Sequence, residues 1–442
     1  MRLKLLLFFL FFSICGFSQS EFQINNLKNK VVIPFKLINN LIFIPVTVNG
    51  EELTFLLDTG VEQTILFSLD DKDVIKLFEV EKLKLKGLGS KDAIDSYKSS
   101  KNKVEIKDFV DYNHEIYIVL DQEFNFSSQV GIPVNGIIGY NFFRKHIVEI
   151  NYDRKKIIVY DHAHKKINGR LQKKFVKESI TVEDKKPYYI AKIKSGEQTI
   201  PSKLLVDTGN SDAVWIFTNK TDKINLPEKN VQDYLGRGFS GNVYGKRARM
   251  ESFEFGKKTF DNPLVTFPDS TSVKSVNFVP NRIGSIGGEI ISRFTIVFDY
   301  LNGAIYTKPN SQIKLPFNFN MSGIEVEHSG LEWVKETVEE NQNQGIKVYA
   351  DASEERIQNS LKIRFSLKPI FKIASVRVGS EADKAGLKVG DRILKINNEI
   401  AHGYTIEMIN ELLRSEEGKT IEIEVERDSK TYKFKFQLKK II

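Results

Sequence analysis

The sequence of 442 residues has few of the residues that covalent cross-links and soft metal sites require. It contains one cysteine, Cys15, and six histidines. A single cysteine forms no disulfide within a chain, and the cysteine and histidine clusters typical of zinc sites are missing. His162 and His164 lie close together, but they stand in a charged connector without a second pair. We therefore expect no bound metal and no other cofactor.

Apolar runs long enough to cross a membrane are also lacking at the N-terminus. Two basic residues precede an apolar stretch over residues 5–12, and the small residues Gly16 and Ser18 follow at the spacing of a signal-peptidase site. The stretch is shorter than the ~20 residues that span a bilayer. We interpret residues 1–18 as a signal peptide that is cleaved after Ser18, rather than as a membrane anchor.

This interpretation predicts an exported protein, periplasmic or secreted, without a transmembrane span after signal removal. Cleavage after Ser18 would also remove Cys15, so that the mature chain would have neither a disulfide nor a thiol nucleophile. Lipid anchoring through Cys15 is disfavoured, because the bulky Ile14 precedes it where lipid-modified proteins carry a small residue.

The net charge of +8 does not come from a basic cluster. The lysines alternate with apolar and acidic residues, as in KLKLKG and KFKFQLKK. Such alternation is typical of solvated strand faces, so we expect no nucleic-acid partner. No Gly-x-Ser-x-Gly motif or convincing Ser-His pairing occurs, which argues against a serine hydrolase.

Most of the sequence predicts β structure. Short alternating runs of Ile, Val, Phe, Tyr and Thr are separated by breaks such as Asn-Gly, Ser-Gly and Lys-Pro. Because domains typically comprise roughly 100 to 200 residues, a chain of this length should form several, and we expect three.

An internal repeat decides how the first 310 or so residues are interpreted. The segment FLLDTG at residues 55–60 recurs as LLVDTG at residues 204–209, so Asp58 and Asp207 are 149 residues apart (207 − 58). One Asp-Thr-Gly alone would indicate only a turn, in which Asp bonds its own backbone and Gly supplies a positive φ. Two copies in equivalent places change that interpretation.

Other features recur at nearly the same offset. The segment GIIG at residues 136–139 recurs as GSIG at residues 284–287, and the strands that follow end in related pairs, Ile150 with Tyr152 and Phe298 with Tyr300. The repeat ends near Leu315, and a new pattern begins near Ile363. We therefore divide the chain into a signal peptide (1–18), a first lobe (19–165), a second lobe (166–314), a connecting segment (315–362) and a C-terminal domain (363–442).

With these paired motifs the first 310 or so residues resemble the pepsin-like and retropepsin-like aspartic peptidases. The resemblance implies two homologous β-barrel lobes whose Asp-Thr-Gly loops meet at a pseudo-twofold axis, with Asp58 and Asp207 as the catalytic residues. It also implies support roles, in the loops for Thr59, Gly60, Thr208 and Gly209, and in the strands behind them for Ile137, Ile138, Gly139, Ser285, Ile286 and Gly287. Ser285 is polar where that pattern has an apolar residue.

Glycine pairs between the motifs also correspond in the two lobes. They are Gly87 with Gly89 and Gly236 with Gly238. The resemblance places them in β-hairpin flaps that close over substrate, and the alternative is that they are ordinary hairpin glycines. Gly236 and Gly238 also begin a G-x-G-x-x-G pattern, but no βαβ context surrounds it, so we expect no dinucleotide site.

Two carboxylic acids held close together provide an acid and a base. They cannot both ionise readily, so they share one proton. One group can take a proton from a water molecule that attacks a peptide carbonyl, while the other protonates the carbonyl oxygen. Val61 follows the first triplet where many pepsin-like enzymes have Ser or Thr. We hypothesise that the missing hydroxyl raises the pKa values of the pair, so that activity extends toward neutral pH.

The segment KAGLKVGDRILKINN at residues 384–398 resembles the central signature of PDZ domains, with Gly386, Leu387, Gly390 and Asp391 at the matching positions. The resemblance implies an α+β domain that binds an extended peptide as an added strand beside a helix, here the one predicted at residues 405–413. A loop that captures a C-terminal carboxylate is not recognisable, and SLKP at residues 366–369 is the nearest candidate. The alternative is a domain that serves only as a scaffold.

Three functional hypotheses remain open. The first is an endopeptidase that acts, as a monomer, on extended segments of peptide or protein substrates, with a possible peptide ligand at the PDZ-like domain. The second is a non-catalytic peptide-binding protein that keeps the peptidase fold. The third keeps the chemistry but pairs lobes between two chains. We favour the first, because both triplets keep Asp, Thr and Gly.

Overall fold

The protein is described here by a computed structural model that covers residues 21–67, 75–85, 94–119, 126–164, 166–238, 241–273, 278–339 and 361–442. Strands dominate these residues, so the predicted mainly β fold is confirmed. Two compact units are present. One contains the described residues up to Ser127, Ile132–Phe319 and Lys440–Ile442, and the other contains Ser128–Gly131 and Asn320–Lys439.

The first part of the larger unit is a sheet that closes on itself. The strands up to residue 164 are β1 (Gln23–Ile24), β2 (Lys30–Pro34), β3 (Lys36–Ile38), β4 (Leu41–Val48), β5 (Glu51–Leu57), β6 (Thr64–Leu66), β7 (Glu81–Leu85), β8 (Ile94–Ile106), β9 (Phe109–Val119), β10 (Gly136–Ile138), β11 (Ile147–Asn151) and β12 (Lys156–Tyr160), with helices α1 (Phe126–Val130) and α2 (Tyr140–Phe143). The sheet runs in the order β9-β6-β10-β5-β4-β8, and β8 pairs again with β9. Closure removes the unpaired edges that an open sheet would leave.

The second part of this unit has a similar sheet. Its elements are α3 (Ile167–Lys174), β13 (Val176–Ser179), β14 (Thr181–Glu183), β15 (Lys186–Ser195), β16 (Gln198–Val206), β17 (Val214–Ile216), a short 3₁₀ helix (Thr218–Lys220), β18 (Asn230–Gly238), β19 (Gly241–Arg249), β20 (Ser252–Phe255), β21 (Lys258–Asp261), β22 (Leu264–Pro268), β23 (Arg282–Ile286), α4 (Gly288–Ile291), β24 (Phe294–Asp299) and β25 (Ala304–Pro309). The strands run in the order β18-β19-β22-β17-β23-β16-β15-β20-β21.

The strands around the two aspartates follow the same pattern of directions. In the first sheet β5 is parallel to β10, β10 antiparallel to β6, and β6 parallel to β9. In the second sheet β16 is parallel to β23, β23 antiparallel to β17, and β17 parallel to β22. The homology of two lobes stays a prediction, but these matching directions agree with it.

A third sheet joins the two halves of the unit, in the order β13-β25-β24-β11-β12-β2. Its central pairing is antiparallel, between β11 and β24, with Ile150 opposite Ile296. Every residue of β24 is buried, which explains why its sequence, FTIVFD, is mostly apolar and does not alternate between apolar and polar residues.

The smaller unit contains a mixed α and β domain. Its elements are β26 (Ile324–Glu339), β27 (Leu361–Val376), α5 (Glu381–Ala385), β28 (Arg392–Ile396), β29 (Glu399–Ile400), a 3₁₀ helix (Ala401–Gly403), α6 (Ile406–Leu413), β30 (Thr420–Arg427) and β31 (Lys430–Gln437). The predicted helix is confirmed: the side chain of Thr405 caps its N-terminus, and Ile406, Ile409 and Leu413 form a buried stripe. Strand β26 pairs with β27, so the sheet begins within residues 315–362, where we expected a connecting segment.

No helix among the described ranges is both long and apolar enough to cross a membrane. The longest of them, α3 and α6, have eight residues each.

The joining sheet contains a buried carboxylate that is paired with a partly exposed arginine. Glu149 of β11 is 1% exposed, and its Oε1 accepts a hydrogen bond of 2.8 Å from Nη2 of Arg170 in α3. Arg170 also contacts the second carboxylate oxygen, and the Tyr160 hydroxyl donates to that oxygen over 3.1 Å. A buried carboxylate that loses its cation is strongly destabilising.

We therefore expect Arg170→Met to lower the free energy of unfolding by about 2–3 kcal/mol, because it leaves Glu149 buried without a counter-charge. Lys192→Met is the control, since it breaks the exposed pair between Lys192 and Glu254, which should stabilise by less than about 1 kcal/mol. Urea unfolding of both variants measures the difference. Equal losses would contradict this account of the joining sheet.

Candidate active site

Asp58 and Asp207 occupy equivalent positions at the ends of parallel strands. Asp58 directly follows β5, and its N–H donates to the carbonyl of Ile138 over 2.9 Å. Asp207 directly follows β16, and its N–H donates to the carbonyl of Ile286, also over 2.9 Å. The strands predicted to support each loop therefore do so through the same backbone bond.

The two loops are bonded to each other by their threonines. The N–H of Thr59 donates to Oγ1 of Thr208, and the N–H of Thr208 donates to Oγ1 of Thr59, each over 3.0 Å. Each hydroxyl then donates across to the opposite strand, Thr59 to the carbonyl of Val206 (2.6 Å) and Thr208 to that of Leu57 (2.8 Å). Both threonines are 1% exposed, so these bonds form away from water. The pair of loops is thus locked around an approximate twofold axis.

The glycines behind the loops leave no room for a side chain. A Cβ at Gly139 would lie 2.1 Å from the carbonyl oxygen of Val61, and a Cβ at Gly287 would lie 2.2 Å from that of Asp212. Both distances are far shorter than any contact between non-bonded atoms. The second glycine of each four-residue motif is therefore required by close packing against the aspartate loop.

The glycines inside the loops donate backbone hydrogen bonds to the carboxyl groups. The N–H of Gly60 donates to Oδ1 of Asp58 over 2.6 Å, and the N–H of Gly209 donates to Oδ1 of Asp207 over 3.1 Å. Each glycine also faces the opposite aspartate: a Cβ at Gly209 would lie 2.2 Å from Oδ2 of Asp58, and one at Gly60 would lie 2.8 Å from Oδ1 of Asp207. Any side chain here would push the two carboxyl groups apart.

The carboxyl groups of Asp58 and Asp207, which we call the carboxyl pair, lie next to each other: a Cβ at Gly60 would lie 3.0 Å from Oδ1 of Asp58 and 2.8 Å from Oδ1 of Asp207. Burial, and then the charge of Asp207, raise the pKa of Asp58 well above its ordinary value. Burial also raises the pKa of Asp207, but the positive charge of Arg282 and the N–H of Gly209 act in the opposite direction. The cation near Asp207 thus favours the ionised form of that carboxyl group.

Two residues of β23 near this pair were not predicted to act together. Ser285, the polar departure from the expected apolar pattern, accepts a hydrogen bond of 2.9 Å from Nη2 of Arg282. Arg282 is 7% exposed. A polar residue in an otherwise apolar support strand was the one sequence signal that could have revealed this contact.

Polar networks that the sequence did not reveal lie close to both loops. After the first loop, Oγ1 of Thr64 lies 2.7 Å from Nε2 of His114, whose Nδ1 lies 2.7 Å from Oδ2 of Asp111. All three side chains are at most 1% exposed, so they brace the interior of the first sheet rather than meet substrate.

After the second loop, Asp212 forms the corresponding support. It accepts hydrogen bonds from Nε1 of Trp215 (2.7 Å) and Nη1 of Arg247 (2.8 Å), and Arg247 also pairs with Asp233. The partners are separated by up to 35 residues in the sequence. Such distant pairings cannot be read from local patterns.

The structure describes two of the four predicted flap glycines. Gly87 and Gly89 lie outside the described residues. Gly236 and Gly238 belong to β18, which forms an antiparallel hairpin with β19, and Gly238 lies opposite Gly241. Gly236 has a φ of +122° at an irregularity of that hairpin, a conformation that favours glycine. Their function as flap residues stays a prediction.

The PDZ signature residues form a turn that Arg427 closes. Gly386 ends α5 with a φ of +99°, and Gly390 has a φ of +88°. Leu387 is 2% exposed. Both carboxylate oxygens of Asp391 accept hydrogen bonds from Arg427, over 2.6 and 2.7 Å. These residues therefore stabilise the fold of the domain.

The interpretation of SLKP, residues 366–369, as the nearest candidate for a carboxylate-binding loop was wrong. Ser366 and Pro369 lie within β27, where they pair with Val334 and Leu331 of β26. A residue inside a strand ladder cannot provide the loop that was expected of SLKP.

Within the described parts of the chain, no group of three or more His, Cys, Asp or Glu residues is arranged to hold a metal ion.

Comparison with known families agrees with both parts of the sequence. Residues 44–142 match the aspartyl protease model, and residues 372–427 match the PDZ domain model. The first match includes Asp58 and Gly139, whereas Asp207 lies outside it. A search among curated proteins found no match. The chain therefore contains a retropepsin-like aspartyl protease domain, followed at its C-terminal end by a PDZ domain.

Proposed function

We propose that the protein is an aspartic endopeptidase that hydrolyses peptide bonds in extended polypeptide segments. The observation that carries this proposal is the placement of the carboxyl pair between loops that Thr59 and Thr208 bond together, where Oδ1 of both aspartates faces Gly60. A protein that only bound peptides would have no need of two acids in this arrangement. The aspartyl protease match at residues 44–142 supports the same reaction class.

The charges of the pair suggest which carboxyl group performs which step. The ionised Asp207 accepts a proton from a water molecule as its oxygen attacks the peptide carbonyl carbon. Asp58 donates its proton to the carbonyl oxygen, which gives a neutral tetrahedral diol. Asp207 then passes its proton to the leaving nitrogen while Asp58 takes one back from the diol. The C–N bond breaks, and both groups return to their starting states without a covalent intermediate.

We further propose that residues 19–165 and 166–314 are two homologous lobes, each supplying one aspartate. Because both carboxyl groups belong to one chain and lie next to each other between the bonded loops, no pairing between chains is required, and a monomer suffices. In this proposal the chain is exported after cleavage behind Ser18, and the PDZ domain binds a peptide or a protein partner. Its match at residues 372–427 supports peptide or protein binding.

The direct test compares the purified protein with Asp58→Asn and Asp207→Asn on a peptide library, with and without a transition-state-mimicking inhibitor of aspartic peptidases. Each substitution removes one of the two proton-transfer groups, so we expect cleavage to fall by at least about 10²–10⁴-fold. Asp428→Asn, at an exposed turn in the PDZ domain, is the matched control and should cleave like the wild type.

Unchanged cleavage in both active-site variants would end the proposal. Peptide binding without cleavage by the wild type at any pH would favour the non-catalytic alternative.

The pH profile should be displaced from that of ordinary carboxylic acids. Activity requires Asp207 ionised and Asp58 protonated, and the pKa values of both are raised. We therefore expect kcat/KM to fall on the acid side already above about pH 4, near the ordinary Asp value, and to have its maximum at higher pH. A maximum at or below about pH 4 would contradict this assignment.

The same raised pKa predicts a gain in stability when the acid is removed. Folding favours the protonated form of Asp58, so this contribution is complete at low pH and is lost as the pH rises through the pKa of the folded protein. Asparagine is neutral at every pH. Asp58→Asn should therefore raise the Tm at pH 7 by about 2–4 °C, the effect of roughly 1 kcal/mol in a domain of this size.

At pH 3 the two Tm values should agree, because Asp58 is then protonated in the wild type as well. Calorimetry at both pH values makes the comparison, and a lower Tm for Asp58→Asn at both would show that the charge is well accommodated.

A further inference from the structure

A buried cation, Arg282, lies on the support strand of Asp207, and the support strand of Asp58 has no counterpart. Arg282 begins β23, the strand whose Ile286 carbonyl accepts the N–H of Asp207. Arg282 is 7% exposed, and the charges that act on it are those of Tyr188 and Asp207. Within the part of the chain that the structure describes, no carboxylate makes an ion pair with it.

The guanidinium is held from two sides. Its Nε donates to the carbonyl of Gly284 over 3.1 Å, and its Nη2 donates to Oγ of Ser285 over 2.9 Å. Ser285 lies beside Leu205 of β16, two residues before Asp207. Three aromatic rings surround the guanidinium at 5.2–6.0 Å from its central carbon, those of Phe278, Phe217 and Tyr188. The cation is therefore fixed in place on the same strand pair that ends in Asp207.

The first half of the pair has no such group. The offset of 148 residues places Val134 where the second half has Arg282, and Ile137 where it has Ser285. Both are buried apolar side chains, 1% and 4% exposed. Asp58 thus receives no positive charge from its own support strand.

The other titratable neighbours do not produce this difference. The positive charge of Lys186 acts on both Asp58 and Asp207. Tyr300 lies on the side of Asp58, and burial raises its pKa, so it stays neutral in the physiological range. The ring of Tyr188 lies 6.0 Å from the central guanidinium carbon of Arg282, and burial raises the pKa of Tyr188, so it is also neutral. Of the charged groups that act on Asp207, Arg282 lowers its pKa most.

We propose that Arg282, oriented by Ser285, is a positioning residue that assigns the base role to Asp207 and the acid role to Asp58. The assignment rests on the proposed peptidase function. A buried cation without an ion-pair partner is costly, and the negative charge of Asp207 offsets part of that cost. The shared proton is thereby held on Asp58 before substrate binds.

The test is the pH profile of kcat/KM for Arg282→Met, which keeps the length and the apolar stem but removes the charge. An opposite charge near a carboxylate typically lowers its pKa by 1–3 units, so the acid limb should move upward by about one pH unit. Cleavage should fall about tenfold at the acid limb and much less at higher pH. Arg282→Lys should restore most of the profile, and Ser285→Ala should give a smaller shift in the same direction.

Arg249→Met provides the matched control. Arg249 is a partly buried arginine of the same sheet, bonded to the carbonyls of Asn262 and Phe317, and its removal should leave the profile in place. A profile for Arg282→Met that falls by one factor at every pH would overturn the proposal, since that is what a merely structural residue would produce. If Arg282→Met does not fold, Arg282→Lys and Ser285→Ala decide by the same criterion.

A second measurement does not depend on activity and so separates this proposal from the proposed function. In Tm measurements at pH 7, Arg282→Met should cost more in the wild type than in Asp207→Asn, because only the wild type has a charge that Arg282 neutralises. Equal Tm changes in the two backgrounds would overturn the role of Arg282, even in a protein that cleaves peptides. Wild-type inactivity combined with unequal changes would overturn the peptidase function alone.

Discussion

The reciprocal hydrogen bonds between Thr59 and Thr208 are the constraint on which the rest of the site depends. Each threonine hydroxyl accepts a hydrogen bond from a backbone N–H of the opposite loop. It also donates one to a backbone carbonyl of the strand that leads into that loop, β16 for Thr59 and β5 for Thr208. Because the bonds are buried, breaking one would leave polar groups without partners in an apolar interior. The two loops therefore cannot separate independently of the sheets that carry them.

Close approach of the loops has an electrostatic consequence. It places two carboxyl groups in a shared, buried environment where both cannot ionise, and the glycines at Gly60 and Gly209 make room for this contact. The unfavourable charge is retained because the surrounding sheets are joined by the antiparallel pairing of β11 with β24. The close carboxyl groups therefore lower the stability of the fold at the place where proton transfer requires one acid and one base.

Part of this arrangement could be predicted because it repeats. Asp58 and Asp207 were found from two copies of one triplet, and the role of Gly139 and Gly287 from two copies of a second motif. Helix α6 was predicted from the apolar spacing of Ile406, Ile409 and Leu413. Each of these features is encoded by neighbouring residues, so a local pattern is sufficient to find them.

The remainder depends on contacts between distant residues. The His114 network joins residues that are 50 positions apart, and the placement of Arg282 near Asp207 depends on how β23 lies against β16. Strand β26 was missed because its partner, β27, follows a long intervening segment. The SLKP interpretation failed because a Pro within an edge-adjacent ladder resembles a loop signal in sequence.

The central claim is that Asp58 and Asp207 form one coupled pair that shares a proton. The most direct measurement is a ¹³C NMR titration of the aspartate side-chain carboxyl carbons, with both signals assigned from the two Asp→Asn variants. The account predicts two coupled steps, with Asp207 ionising before Asp58 and the Asp58 step well above the ordinary range. Two independent titrations near pH 3.9, the ordinary Asp value, would contradict it.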